Sequence, residues 1–312
     1  MAKSPVTIGQ QGYVLALLLL AISAVAVGFM PVGMKIGLSD GSNPQTLLII
    51  RTVMGTAIFG SILLIRREGF RVARPMLAMV AAAGVCSALM NYSVASAIIR
   101  IDVSLAILIL FFHPFLVVYY FRWSGGESLT LQQLAWSGMA FIGLALVLAV
   151  DLAVLDWTGL VFAGLAGLLA TVMVITMVRA NRDLSGVAVC FHVSLTGLGM
   201  FVAITLATGS MAWPQTTIGW SAAAGAGIAF SVAYFTWLIA AGIIGAGRAS
   251  LLSFTEPVVS VVFAALLLGE RLSLLQWGGV ALVAAGLFLL EAWPGPPTTD
   301  RAGQGHEGQP GL

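Results

Sequence analysis

Charge is what this sequence lacks most. Its 312 residues include 14 lysines and arginines and 12 aspartates and glutamates, so only 8% of the chain is charged. A typical soluble domain carries roughly 25%. Hydrophobic residues make up 60% of the chain, and its apolar runs reach the ~20 residues that cross a bilayer core of ~30 Å. The composition predicts an integral membrane protein in contact with lipid. The net charge of +2, without a basic stripe, gives no reason to expect a nucleic-acid partner.

Cysteine and histidine are also scarce. Cys86 and Cys190 both lie in apolar runs, and we interpret them as small buried residues, not a disulfide or a metal pair. The sequence lacks a phosphate-binding loop, a dinucleotide fingerprint, a nucleophile elbow and a metal-spaced cluster. We therefore expect no enzymatic activity, no cofactor and no metal site. An intramembrane enzyme built on Glu256 and His113 is the remaining enzymatic alternative.

Apolar runs broken by charges, glycine and proline predict ten membrane-spanning helices and no period-2 strands. The predicted spans are 13–35, 44–65, 76–99, 102–122, 131–150, 157–179, 186–208, 218–242, 247–268 and 274–292. Residues 293–312 are rich in glycine and proline and are predicted to form a disordered tail. Lysine and arginine are more numerous on the side of the N-terminus, with a cluster over residues 66–74. This bias predicts that both termini are cytoplasmic. The expected location is a bacterial inner membrane.

One segment of the chain occurs twice. Residues 97–149 align without a gap on residues 240–292, at an offset of 143, with 16 identities in 53 positions. Pro114 pairs with Pro257, and His113 pairs with Glu256. We predict two repeats over 13–150 and 156–292.

Each predicted repeat contains five spans, and five is an odd number. The second repeat must therefore enter the membrane from the opposite side, which predicts two inverted five-helix repeats in an all-α fold. Inverted repeats are typical of secondary transporters, in which two similar halves expose a midplane site to each side in turn. A repeat that only builds a stable bundle is the alternative.

Several motifs resemble the EamA family of the drug/metabolite transporter superfamily. They are Arg248–Ser253, the Glu-Pro-Val run Glu256–Val258, and the Leu-Leu-Leu-Gly-Glu-Arg-Leu run at 266–272. The resemblance covers about residues 13–292 and is weaker in the first repeat, where His113 stands in place of the acid. It implies ten helices and the movement of small metabolites such as amino acids, more often outward than inward. It implies no enzymatic activity.

Glu256 is the leading candidate for a substrate ligand. A carboxylate inside a membrane span costs about 2.5–3.5 kcal/mol on insertion scales, so it should face a cavity or a partner. Ser253 and Ser260 share its helical face, and Pro257 should kink the helix and free the Ser253 carbonyl. Glu256 is predicted to bind a substrate amine or a proton. Alternatively, it is a buried structural acid, neutral or paired with Arg248.

His113 and Pro114 are the counterparts of Glu256 and Pro257 in span 4. Histidine changes charge near neutral pH, so His113 is a candidate for substrate binding or proton coupling. The structural alternative is a histidine bonded to a carbonyl that Pro114 leaves free. The two prolines are predicted to act as hinges.

Five further residues complete the predicted site. Arg51 lies about seven residues into span 2, roughly 10 Å deep, and would bind a substrate carboxylate; structurally it would pair with Asp40 or Asp102. Asn91 and Tyr234 correspond at the 143-residue offset, and with Tyr92 and Trp237 they could form an aromatic pocket wall. Ordinary aromatic packing is the alternative.

The favoured hypothesis is a secondary transporter that exports amino acids or related amphipathic compounds by alternating access, as a monomer or weak dimer, with protons as a possible coupling ion. Two other hypotheses stay open. One is a non-transporting membrane scaffold or sensor. The other is a lipid-type flippase, which predicts a side cleft open to lipid.

Overall fold

The structure is a computed structural model that describes residues 10–124, 130–150, 152, 155–209, 211–268 and 271–292. All regular elements in these ranges are α-helices. They are α1 Gln10–Ser39, α2 Pro44–Arg66, α3 Arg74–Ile98, α4 Val103–Leu110, α5 His113–Trp123, α6 Leu131–Val147, α7 Trp157–Ala180, α8 Gly186–Thr208, α9 Thr217–Ile244, α10 Ala246–Leu252, α11 Thr255–Leu268 and α12 Leu274–Ala292.

These helices form the ten predicted spans, because α4 with α5 and α10 with α11 each make one span in two pieces. Nine spans in the described ranges are long and apolar enough to cross a bilayer, and the tenth is the 17-residue helix α6. At 1.5 Å per residue α6 is about 26 Å long, close to the hydrocarbon thickness. The all-α membrane fold is therefore confirmed. The predicted tail, 293–312, lies outside the described residues.

Local sequence explains where several helices begin. Asn43 accepts a hydrogen bond from the Thr46 amide (2.9 Å), and Pro44 occupies the first turn of α2. Thr130 and Gln133 form a reciprocal capping box at the start of α6. A single residue, Gly245, separates α9 from α10 and adopts a positive φ of 92°, a conformation that favours glycine.

The packing of the helices repeats with two-fold pseudo-symmetry. Helix α1 packs along α9, and its counterpart α7 packs along α3. Likewise α2 packs on α9 while α8 packs on α3. The pairs α2–α8 and α6–α12 join equivalent helices of the two halves. Exchange of the halves thus maps this set of helix contacts onto itself, as two inverted repeats require.

Pseudo-equivalent glycines allow α6 and α12 to touch. A Cβ on Gly143 would lie 2.7 Å from the Val283 nitrogen, and one on its counterpart Gly286 would lie 2.8 Å from the Ala140 nitrogen. Small residues let membrane helices approach at backbone distance, which strengthens van der Waals packing and substitutes for the weak hydrophobic force between helices in lipid.

The predicted kink in span 9 is a complete break. Helix α10 ends at Leu252, and α11 begins at Thr255 after a tight turn. The expectation that Pro257 would free the Ser253 carbonyl is wrong, because the Glu256 amide donates to that carbonyl at 3.0 Å. Pro257 instead lies in the first turn of the new helix, where a missing N–H has no intrahelical partner to lose.

Span 4 breaks at the equivalent place, between Leu110 and His113. The two breaks pack close together across the centre of the molecule. Phe254 is fully buried, with its ring centroid 5.7 Å from that of Phe115 and 5.9 Å from that of Phe141. These aromatic contacts tie the break in the second half to helices of the first half.

Candidate functional site

A cavity of about 110 Å³ lies between the two halves beside the broken spans. His113 and Glu256 both line it, each near the middle of its span. The other lining residues are Ser23, Val27, Met173, Val174, Met177, Ala233, Tyr234, Trp237 and Ser253. Five predicted site residues, His113, Tyr234, Trp237, Ser253 and Glu256, thus meet at one cavity.

Glu256 lies at the first turn of α11, where helix N-termini favour negative charge. Its carboxyl group is within hydrogen-bonding reach of Ser253. The structural alternative of a pair with Arg248 is wrong, because Arg248 Nε lies 2.9 Å from Glu291 Oε1 instead. Of the predicted polar face, Ser253 reaches the cavity, whereas Ser260 donates to the Glu256 backbone carbonyl at 2.9 Å. The Glu256 carboxyl therefore faces the cavity without a cationic partner among the residues that line it.

Ser253 connects the carboxyl to the aromatic wall. The indole Nε1 of Trp237 donates to Ser253 Oγ at 2.9 Å, and that oxygen lies 3.2 Å from the Ala249 carbonyl. This contact holds the indole ring beside the cavity. Trp237 therefore both packs against the core and has its polar atom satisfied inside the membrane.

His113 is held by its own backbone. Its Nδ1 lies 3.0 Å from the Leu110 carbonyl, which is the acceptor that Pro114 leaves without a helical donor. A carbonyl only accepts, so Nδ1 carries the proton and Nε2 is left to accept one. The structural alternative for His113, a bond to a carbonyl that Pro114 leaves free, therefore accounts for the contact of Nδ1. The same contact leaves Nε2 available for a second role.

Aromatic and sulfur-containing side chains make up much of the remaining wall. The Tyr234 ring centroid is 4.2 Å from that of Phe230, and the Tyr234 hydroxyl lies 3.8 Å from Met173 Sδ. Sequence reasoning missed the lining residues Ser23, Val27, Met173, Val174, Met177 and Ala233. Of these, Ser23 had a usable signal as a hydroxyl within a long apolar helix; it donates to the Ala233 carbonyl at 3.1 Å.

Arg51 does not line the cavity. Its guanidinium carbon lies 4.3 Å from the Phe230 ring centroid, and Nε is buried without a hydrogen-bond partner. The predicted pairs with Asp40 or Asp102 are absent from the described contacts. Asp102 instead accepts from the Leu105 amide, and Asp40 accepts from two amides just before α9. Arg51 is close enough to Tyr234 for its charge to act on that side chain. It thus lies beyond the aromatic wall.

Asn91 and Tyr92 lie outside the cavity. The Asn91 amide donates to the Ser87 carbonyl of its own helix at 2.7 Å. Tyr92 is 52% exposed on the outer face of α3. The predicted wall therefore consists of Tyr234 and Trp237 without the two α3 residues.

The lining defines what the site can bind. It offers one carboxyl, one imidazole, serine and tyrosine hydroxyls, and a largely apolar wall, and its residues include no lysine or arginine. Within the described ranges, no group of three His, Cys, Asp or Glu residues could hold a metal ion. This arrangement suits a small ligand with a hydrogen-bond-donating or cationic end and an apolar body.

The fold and the cavity define a class: a polytopic α-helical membrane protein with two inverted repeats around a central polar site. The EamA-like transporter family matches residues 14–149 and 157–291, and the chain belongs to that family. It is therefore a membrane transporter of small molecules. The two matched segments begin 143 residues apart, the same offset as the repeat found in the sequence.

Two further similarities agree with this assignment. The chain is 35% identical over 95 residues to a Sinorhizobium sp. protein named "Uncharacterized transporter in cobO 3'region", which covers 30% of this chain and 67% of that protein. A solved structure described as "Crystal structure of protein" superposes with a TM-score of 0.76 at 18% identity, over 88% of this chain and 95% of the other. The second similarity concerns the fold alone.

Proposed function

We propose that this transporter exports amino acids or related amphipathic amines by alternating access, with Glu256 as the ligand for the amine. The observation that supports the proposal is the Glu256 carboxyl, which faces the central cavity with no lysine or arginine in the lining. A carboxylate in such a site gains a charge-assisted hydrogen bond when an ammonium group enters. The same group would repel an anionic ligand.

The wall of the cavity selects for an apolar body beside the amine. Tyr234 and Trp237 offer aromatic faces, and Met173 and Met177 offer adaptable thioether side chains. Arg51, beyond Tyr234, is the candidate ligand for a substrate carboxylate. For a zwitterionic substrate to reach it, the aromatic wall must move between states.

The two breaks supply the hinges for this movement. Pro114 and Pro257 each lie in the first turn after a break, so each span has two short helical pieces that can reorient separately. Because the breaks are pseudo-equivalent, one conformation of the first half can be adopted by the second half in the opposite state. Both termini are taken as cytoplasmic from the distribution of lysine and arginine.

Proton coupling follows from the pair of titratable groups at the cavity. The carboxyl of Glu256 and the Nε2 atom of His113 can each take a proton in one state and release it in the other. Arrival of a substrate amine at Glu256 would displace a proton, which links outward movement of substrate to inward movement of protons. An imposed pH gradient should then drive substrate accumulation in proteoliposomes.

The first experiment is a thermal-shift screen of purified protein against amino acids, quaternary amines, nucleosides and vitamins, since ligand binding raises the apparent melting temperature. We expect shifts from compounds that combine an amine with an apolar body. Deaminated analogues with the same carbon skeleton are the matched negative ligands. Shifts produced equally by the deaminated analogues would contradict the role of Glu256.

A further inference from the structure

The halves of the molecule meet at two pseudo-equivalent outer seams. At the first seam α1 and α9 border α11, and at the second α7 borders α4 and α5. Each seam carries an apolar groove on the outer face of the helices. We call them the α1 groove, which includes Ala21 and Val25, and the α7 groove, which includes Gly164 and Leu168. The 143-residue offset maps Ala21 onto Gly164 and Val25 onto Leu168, so both grooves use the same face of α1 and α7. The α1 groove, of about 790 Å³, lies mainly between α1 and α9, whereas the α7 groove lies between α7 and the broken span 4.

Only the α7 groove reaches the central cavity through a shared residue. Its lining includes His113, which also lines the cavity. The corresponding residue Glu256 lines the cavity but is not part of the α1 groove. His113 is therefore the partition between the cavity and an outer groove of about 460 Å³.

Glycine contacts show that the helices pack more tightly at the first seam than at the second. At the first seam a Cβ on Gly28 would lie 2.7 Å from Val259 Cγ1 and 3.2 Å from the Ser260 nitrogen, so α1 and α11 touch at backbone distance. At the second seam a Cβ on Gly167 would lie 3.5 Å from the Ile109 and Leu110 carbonyl oxygens. One on Gly164 would meet nothing within 4 Å. The helix α7 thus packs less tightly against span 4 than α1 packs against α11, and its face at Gly164 is open.

The chemistry of the α7 groove fits an alkyl chain. Its lining is leucine, isoleucine, phenylalanine and glycine except for His113, and Phe112 and Leu168 are 48% and 56% exposed on its walls. The polar groups begin at its inner end, with His113 and then Glu256 across the cavity. A molecule that fills groove and cavity together needs an apolar tail outside and an amine inside.

We propose that the α7 groove is a lateral entrance from the bilayer, and that it binds the tail of a single-chain alkylamine whose head group passes His113 into the cavity. The inference rests on the proposed function for the role of Glu256, and it adds a route of entry and a class of substrate. The tail stays in an apolar environment throughout, so the protein must desolvate only the head group.

Photolabelling tests the entrance without requiring transport. The probe is a primary alkylamine about ten carbons long, enough to cross roughly half of a ~30 Å core, with a diazirine in mid-chain. The protein is reconstituted in phosphatidylcholine vesicles without any gradient, and adducts are mapped by mass spectrometry. We expect adducts at Phe112, Leu116 and Leu168 that excess unlabelled alkylamine displaces. Bilayer lipid is already in large excess, so a groove filled merely by lipid would give no displaceable labelling.

Filling variants make the test specific. Gly164→Leu should lower the displaceable labelling about five-fold, because the new side chain occupies the space of the tail. Leu168→Trp, whose longer side chain covers the same groove from its exposed wall, should have the same effect. Ala21→Leu, in the α1 groove, which shares no lining residue with the cavity, and Gly199→Leu, at an exposed open site on α8, are the matched controls and should leave labelling unchanged.

The outcomes separate this proposal from the proposed function. Equal displaceable labelling of both grooves, or labelling unaffected by both filling variants, overturns the lateral entrance even if transport is measured. Displaceable labelling confined to the α7 groove supports the entrance even in a preparation that moves no amino acid. In that case the hypothesis of amino-acid export is rejected, and the hypothesis of a carrier for membrane-dissolved amines is retained.

Discussion

The broken spans of the two halves have a similar backbone conformation but carry different polar side chains. Each has a tight turn near its middle with a proline in the first turn that follows, and each contributes one polar side chain to the cavity. The first half supplies His113, tied to its own Leu110 carbonyl, and the second supplies Glu256. The comparison shows that both halves keep a broken span with a proline after the break, whereas the polar residue that each span places at the cavity differs.

A second difference lies at the end of the second half. Arg248 pairs with Glu291 at 2.9 Å and lies over the Tyr13 ring at 5.3 Å, joining α10, α12 and α1. The corresponding positions in the first half are Leu105 and Leu148. The second half thus has an ion pair at the positions where the first half has two leucines.

Glu256→Gln should give the largest effect among the variants. The amide keeps the shape of the side chain but loses the charge that holds an ammonium group, worth about 1.5–3 kcal/mol for a charge-assisted hydrogen bond. We expect the dissociation constant of the best amine ligand to rise roughly ten- to hundred-fold, as measured by ligand titration of the apparent melting temperature. Ser260→Ala, one turn away and outside the cavity, is the control and should bind as the wild type does. Unchanged affinity in Glu256→Gln would make the carboxyl structural.

The single change Arg248→Leu should destabilise the protein by about 1–3 kcal/mol, because it leaves the mostly buried Glu291 carboxylate without its partner. The side chains of Arg248 and Glu291 are 19% and 18% exposed, so the expected cost is below that of breaking a fully buried ion pair. The double variant Arg248→Leu/Glu291→Leu installs the residues of the first half and should recover much of the loss. Apparent melting temperatures of Arg248→Leu, Glu291→Leu and the double variant test this, and a double variant less stable than either single change would refute the interpretation.

Gly28→Ala and Gly164→Ala compare the two seams directly. The first substitution forces α1 away from Val259 and the Ser260 backbone, at a cost of about 1–3 kcal/mol for overpacking. The second places its methyl group in open space and should cost less than about 1 kcal/mol, the propensity gain of alanine over glycine acting in its favour. Melting temperatures in one detergent provide the comparison. Equal losses would mean that the seams do not differ.

Asp40→Asn should give the smallest effect. Asp40 accepts hydrogen bonds from the Gln215 and Thr216 amides at 2.7 and 2.8 Å, and the Thr216 amide above all lowers the pKa of this exposed carboxyl. A lowered folded pKa means that the stabilisation is complete above the ordinary aspartate pKa of ~3.9 and is lost as pH falls through the folded pKa. Amide exchange at Thr216 should be faster in Asp40→Asn than in the wild type at neutral pH, with the difference vanishing in acid. Asp183→Asn, at the corresponding position of the second half, should leave Thr216 unchanged.

Hydropathy and the internal repeat were sufficient to predict the ten spans and their inversion. The reason is physical: spanning helices must be apolar over a length fixed by the bilayer, and an odd number of spans per repeat fixes the relative orientation of the repeats. The same repeat brought His113 and Glu256 to equivalent depths. Depth in the span was enough to select Ser253, Tyr234 and Trp237 as candidates, and the structure places these three at the same cavity.

Other parts of the site could not be predicted, because they depend on how each helix is rotated about its axis. Met173 and Met177 lie in a helix that is apolar on all sides, so no pattern indicates which face meets the cavity. Asn91 and Tyr92 are adjacent and therefore about 100° apart around α3, and the rotation of α3 leaves both away from the cavity. Pro257 indicated a kink, but the turn before it required tertiary support from Phe254.

The most direct test of the central claim is flux in proteoliposomes, with wild-type protein, Glu256→Gln and Ser260→Ala reconstituted in parallel. The account predicts saturable movement of at least one amine-bearing amphipathic solute, competed by other amines, retained in Ser260→Ala and nearly lost in Glu256→Gln. Movement of such a solute at the same rate with Glu256→Gln, or no movement of any amine from a broad panel with the wild type, would contradict it.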